Sequence, residues 1–288
     1  MCITVNKANL AKTKIMSLPL ESGNHFIAYS NKVKNLSGKP NAMILPIPGI
    51  TNQSLFHDTT KYKDFMDEIT KKCRLQEDYF GIQSKGMSRG LLSASSFDQF
   101  VLGQYTIGLA KGFEGIKEFL NTLTNNKRPE VSKELADFFQ EKYAGWSFAI
   151  CVFDSDKTID AQPIAFEYKP FGNGLIYFPT MDSHDGGAPD LKGFVSTDHT
   201  FIYEHTGNKD PKDRYYQEFV TLDADVPSFL QNRSFRAETS HDNFVRNGDT
   251  YLKMEDLKNS DFKTEPQFKR ISPVPHIPIE KHFIQRKF

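Results

Sequence analysis

The stretch Trp146-Ser147-Phe148-Ala149-Ile150-Cys151-Val152-Phe153, entered through Gly145, decides the fold. It is apolar almost throughout, carries no charge, and is rich in the aromatic and β-branched residues that suit a pleated surface. Its length and the preceding glycine make it a strand. Trp146, Phe148, Ile150 and Val152 share one parity; Ser147, Ala149 and Cys151 share the other. The larger set is expected to face helices.

Those helices lie immediately upstream. Phe113, Ile116, Phe119, Leu120 and Leu123 recur at helical spacing, as do Val131, Leu135, Phe138 and Phe139 after Pro129, a favoured first-turn residue. An earlier helix over 60–73 carries Tyr62, Phe65, Met66, Ile69 and Cys73 on one stripe, with Asp58 or Thr59 as its cap. Between them, a single strand is predicted over 99–109 and a Gly- and Ser-rich loop over 81–97.

Downstream, 164–168 and 175–178 read as antiparallel neighbours of the central strand, with further strands at 194–204 and 215–221. Val245-Arg246-Asn247-Gly248-Asp249-Thr250-Tyr251 has the form of a hairpin, because Asn-Gly suits a type I′ turn. Upstream, 2–5, 14–18, 25–30 and 42–47 read as strands separated by turn residues. Pro46 and Pro48 lack a donor, so 45–49 should leave the sheet or follow its edge.

The expected class is therefore α+β: mainly antiparallel sheet with the three helices of the first half packed on one face. Residues 1–270 form one domain, with a sub-boundary near 155–160. Pro273, Pro275 and Pro278 make 271–288 an extended arm.

Composition removes several classes of function. The chain has 288 residues, with 36 Lys plus Arg against 36 Asp plus Glu, so no basic footprint for nucleic acid exists. Hydrophobic content is 38%, but 25 Phe and 11 Tyr supply a large core. No apolar stretch approaches a membrane span or a signal-peptide core. Cys2, Cys73 and Cys151 are odd in number and lack paired spacing, which argues against a disulfide framework and a structural zinc site. A reducing, cytoplasmic setting is the expectation.

The quoted segments also carry a resemblance. His25-Phe26-Ile27, Met43-Ile44-Leu45-Pro46-Ile47-Pro48, Gly103-Gln104-Tyr105-Thr106-Ile107, the Phe119-Leu120 helix end, Tyr143 with Gly145, Trp146 and Phe148, then 163–168 and 175–179, follow one order. That order resembles a bacterial domain family of unknown function over roughly residues 1–180. The resemblance implies a fold and no catalytic residue.

Candidate sites are few. Cys2, once Met1 is removed, could act as an N-terminal nucleophile with its own amine as base and Asn24 or Asn41 as oxyanion donors. That reading makes the chain a cysteine amidohydrolase. His184, Asp185 and His199 are the residue types of a metal site, although no zinc spacing is present. His205 shares strand parity with His199, but six residues of strand hold them roughly 20 Å apart. Lys85-Gly86-Met87-Ser88-Arg89-Gly90 lacks the glycine spacing of a phosphate loop, so no cofactor is expected. Arg233 and Arg236 around Phe235 read as a solvated strand face. Val274, Ile277, Ile279, Phe283 and Ile284 on the arm need burial, and self-association through them is the expected use. The preferred reading is a non-catalytic binding or assembly protein.

Overall fold

The computed structural model describes residues 3–74, 99–172, 174–204, 220–221, 230, 233–239, 245–255 and 269–271. Strands β1 (Ile3–Thr4), β2 (Ala8–Pro19), β3 (His25–Asn35), β4 (Asn41–Ile47), β5 (Gly49–Ile50) and β6 (Phe56–His57) precede helix α1 (Phe65–Arg74). Next come β7 (Gln99–Leu102), β8 (Tyr105–Lys111), α2 (Gly112–Thr122), α3 (Lys133–Lys142) and β9 (Ser147–Phe153). The remaining strands are β10 (Ile159–Asp160), β11 (Ile164–Pro170), β12 (Leu175–Phe178), β13 (Phe194–Val195) and β14 (Thr200–Glu204). They are followed by β15 (Val220–Thr221), β16 (Ser234–Thr239), β17 (Val245–Arg246), β18 (Asp249–Lys253) and β19 (Lys269–Ile271).

Among the described residues these strands form four sheets. A five-stranded sheet runs β1-β4-β9-β8-β7. A nine-stranded sheet runs β15-β16-β14-β2-β3-β11-β5, with β10 added to β3 and β6 to β11. β12-β18-β19 and the ribbon β13-β17 complete the set. The pairings are antiparallel except that of β14 with β2. The α+β class is as expected, and none of the described helices is long and apolar enough to cross a membrane.

The central strand does what its composition demands, and more. Every residue of β9 is buried. Phe148 meets the helices as expected, edge-on to Phe139 at 5.4 Å and to Tyr143 at 6.1 Å. The opposite face, Ala149 and Cys151, is equally covered. Its cover is the nine-stranded sheet: Asn31 of β3 lies 3.7 Å from Met43 Sδ of β4 and accepts from Tyr105 of β8. The second core lies beyond that sheet, where Phe65, Met66 and Ile69 of α1 pack on Met16, Leu18, Phe26 and Ala165. The layers therefore run α2 and α3, five-stranded sheet, nine-stranded sheet, α1. The expected grouping of three helices on one face is corrected by α1. Its stripe seals the sheet whose other face already meets β4 and β9.

Three expected pairings differ. The strand expected over 99–109 is a hairpin, turned by Gly103 at φ 56. β11 and β12 do not flank β9; β9 lies between β4 and β8, while β11 joins β3 and β12 joins β18. The Asn247-Gly248 step is no hairpin: β17 pairs with β13, and β18 with β12 and β19. Asn247 is tied elsewhere, accepting from Asp182 N–H at 2.9 Å and donating to the Asp182 carbonyl at 2.8 Å. Neither Asn247 nor Gly248 takes the positive φ that a type I′ turn requires. The expected sub-boundary near 155–160 is stitched to β3 by Asn35 N–H to the Ser155 carbonyl and by the pairing of Ile159 with Val33.

Phe148 sits at the contact of β9 with α3, without exposure. Phe148→Ala is expected to lower stability by about 3–5 kcal/mol in denaturant unfolding, the loss typical of a buried aromatic. A loss below about 1 kcal/mol would contradict this packing.

Candidate functional site

The residues that look chemical in the sequence have structural work. Cys2 lies outside the described residues, but both proposed oxyanion donors are engaged. Asn41 Oδ1 accepts from Asn6 N–H and Ala42 N–H, and its amide donates to the Asn6 carbonyl at 2.9 Å. Asn24 donates to Glu167 at 3.0 Å.

The expected metal set does not assemble: no group of three His, Cys, Asp or Glu is placed to hold an ion among the described residues. His184 is half-buried, lies 3.2 Å from Asp182, and its desolvation pushes the imidazole down to about 3, which keeps it neutral. Asp185 is tied into its own turn, accepting from Gly187 N–H at 2.9 Å and from Ser183 Oγ at 3.2 Å. The Gly187 bond holds its carboxyl below the usual range. His199 is buried at the start of β14, edge-on to Phe201. Local turn bonding around Asp185 and the burial of His199 separate the three. His205, the 85–90 loop and the arm residues Val274, Ile277, Ile279, Phe283 and Ile284 lie outside the described residues. Arg233 binds Glu204 at 2.7 Å, Arg236 lies 3.2 Å from Glu238, and Phe235 is buried between them. Trp146 is a core residue against Tyr143 and Tyr177.

The feature that the sequence reading missed is an apolar edge. After Pro46 and Ile47 the chain leaves the five-stranded sheet and crosses to the nine-stranded one, where Gly49 and Ile50 pair with Pro170 and Lys169. Phe171 N–H extends the pairing to the Pro48 carbonyl at 3.1 Å. Ser147 Oγ donates to the Gly49 carbonyl at 2.8 Å, and Thr51 Oγ1 to the Glu167 carbonyl at 2.8 Å. The approach is so close that a Cβ on residue 49 would lie 2.2 Å from the Lys169 carbonyl oxygen. This pinned backbone holds two large apolar side chains in solvent: Ile50 is 56% exposed and Phe171 45%.

Phe171 also joins Pro48, Tyr168, Pro170, Gly172, Leu175 and Tyr177 in lining a shallow cleft with room for about 10 Å³. Beside it, His57 lies 3.1 Å from Glu167, which also accepts from Asn24. The edge thus combines exposed apolar groups, prolines and the His57–Glu167 contact. The available signal was Gly49 between Pro48 and Ile50.

Tyr177, a residue of the cleft, belongs to a buried aromatic cluster with Trp146 and Tyr251. At its centre is Asp249, which accepts from Tyr143 Oη at 2.8 Å and from the backbone N–H groups of Thr180 and Met181 at 3.1 Å each. Burial raises the Asp249 carboxyl to about 6 despite these donors.

No family model matches this sequence, and no curated protein matches it. Solved structures of similar outline include those of a baculovirus protein. The crystal structure of baculovirus P35 aligns at 14% identity with a TM-score of 0.46, covering 94% of this chain and 95% of that one. A mutated baculovirus P35 after caspase cleavage aligns at 14% identity and 0.46, over 92% and 93% of the two chains. The caspase-8/P35 complex aligns at 15% identity and 0.44, over 91% and 92%.

Asp249 and two desolvated histidines titrate in opposition. The raised Asp249 contributes stability that is full below its ordinary value of 3.8 and is lost as pH rises through about 6. Burial lowers His25 to about 4 and His184 to about 3, so their contribution is full above 6.5 and is lost as pH falls through those values. Asp249→Asn removes the opposing carboxyl. Its unfolding midpoint is expected to drop more steeply than that of the wild type between about pH 6 and pH 4, as followed by urea titration at each pH.

Proposed function

We propose that this chain is a non-catalytic protein-binding protein that offers the Ile50–Phe171 edge to its partner. One observation carries this reading: two large apolar side chains are held in solvent on a backbone fixed by strand pairing and by close contact at Gly49. Scattered exposed apolar residues are ordinary, but a preorganised pair beside an aromatic and proline-lined cleft has the make-up of an interface anchor. The ordering entropy of the anchor is already met by the fold, so contact area there converts efficiently into affinity. The described histidines and carboxylates with perturbed titration are buried or tied into turns, which also supports a binding role.

The arm extends the proposal. β19 is the edge strand of the β12-β18-β19 sheet, and residues 272–288 continue from it with the apolar set Val274, Ile277, Ile279, Phe283 and Ile284. We assign that set to self-association, in which an arm exchanged between copies makes the contacts it would make at home.

Two interactions are measured: self-association of the full chain by light scattering, and binding to caspase-8, the protein held by P35 in one of the structures above. At least one should be present, and the double variant Ile50→Asp with Phe171→Asp should weaken it at least tenfold, about 1.4 kcal/mol, with an unchanged melting temperature. Absence of both interactions, or equal binding by the folded variant, would overturn the edge assignment. For the arm, the measurement is truncation after Arg270. A shortened chain that keeps both the mass and the melting temperature of the full one would remove the arm from the proposal.

A further inference from the structure

Strand β2 breaks its ladder with β3 once. The register runs to Ala11 opposite Lys32 and resumes at Lys14 opposite Ser30, so Lys12 and Thr13 stand against Asn31 alone. This is a bulge of two residues against one. Lys12 takes φ 52, a left-handed conformation that no other non-glycine adopts among the described residues. Its N–H donates to Asp198 Oδ2 at 2.5 Å. On the other side of β2, the parallel ladder with β14 begins at Thr200 opposite Lys14. His199 therefore stands beside Thr13, one step before that ladder starts.

The side chains at this break are sealed and polar. His199 and Thr13 are 0% exposed, and Thr197 is 5% exposed. Both ring nitrogens of His199, Thr13 Oγ1 and Thr197 Oγ1 are buried without a protein partner. Phe201 covers the imidazole at 5.9 Å. Three orphan polar atoms at one bulge, with a fourth on Thr197 two residues upstream of His199, are far from the usual state of a protein interior, where such groups are bonded to protein or to ordered water.

We propose that the β2 bulge and the start of β14 form an internal hydration site, with ordered water sealed among His199, Thr13 and Thr197. The chemistry fits that ligand. An imidazole offers two ring nitrogens to such a network, and each threonine hydroxyl offers both a donor and an acceptor. A buried water uses two to four such partners. A metal ion fits poorly, because a lone imidazole is accompanied only by hydroxyls and Asp198 already accepts from Lys12 N–H. The water replaces the strand-to-strand bonds that the bulge removes and joins β2 to β14 at the point where their ladder fails.

Oxygen-17 magnetic relaxation dispersion on the full chain counts long-lived internal waters. The amplitude is expected to fall by at least one water in His199→Phe and in Thr13→Val, and to stay at the wild-type level in Thr13→Ser, which keeps the hydroxyl. An unchanged amplitude in Thr13→Val would overturn the proposal. So would an equal loss in Thr13→Val and Thr13→Ser, which would mark general loosening. Should His199→Phe fail to fold, the two Thr13 variants decide the matter.

Discussion

The strand Ser147–Phe153 has no side that tolerates water, and the arrangement of the chain follows from that constraint. One face takes Phe139 and Tyr143 from the helical layer, and the other takes a second sheet. Burial of apolar surface at roughly 25 cal/mol per Å² rewards both contacts, and neither layer alone provides them. The second sheet then has an outer face of its own, which α1 closes. The chain must also pass from one sheet to the other. It does so at Pro48–Ile50, where proline and glycine chemistry permits the crossing, and the crossing is what leaves Ile50 and Phe171 at an edge.

Joints between layers are made by buried polar groups with complete bonding. Asn41 ties the turn at Asn6 to β4, and Asp249 ties the end of α3 to the turn after β12. Thr180 and Thr250 share a hydroxyl contact at 2.7 Å beside Asp249. In a low-dielectric interior such networks stabilise only when every member is satisfied, so they select one packing over its alternatives. Their residue types are those of catalytic sites, and here they serve as connectors.

Local physics made part of this fold legible. The stripes of Phe113, Ile116, Phe119 and Leu120, and of Phe65, Met66 and Ile69, are helical because spacing along one chain determines which side chains share a face. Strand pairing is a different matter. That β11 joins β3 rather than β9 depends on which apolar surfaces meet across long separations, and no short-range pattern carries that information. Asn247-Gly248 shows the same limit: its turn propensity is overridden by bonds to Asp182, 65 residues away. The candidate metal residues failed for a related reason, since nearness in sequence placed His184 and Asp185 in a turn whose own bonds occupy the Asp185 carboxylate. Exposure was harder still to foresee, because Ile50 and Phe171 resemble core residues in every respect but position.

The pairing of β2 with β14 has a kinetic consequence. It is the parallel pairing in a largely antiparallel set, and it joins residues 14–17 to 200–203. Nearby, Thr4 N–H bonds to the Ser183 carbonyl across 179 residues. Closing loops of that length costs chain entropy before any contact rewards it, and high contact order slows folding. On the ribosome, β2 and β3 emerge as a hairpin early, yet one edge of that hairpin stays bare until the strand at Thr200 has been made. During that interval the N-terminal third presents an open ladder of donors and acceptors, the kind of edge to which chaperones bind and at which newly made chains associate wrongly.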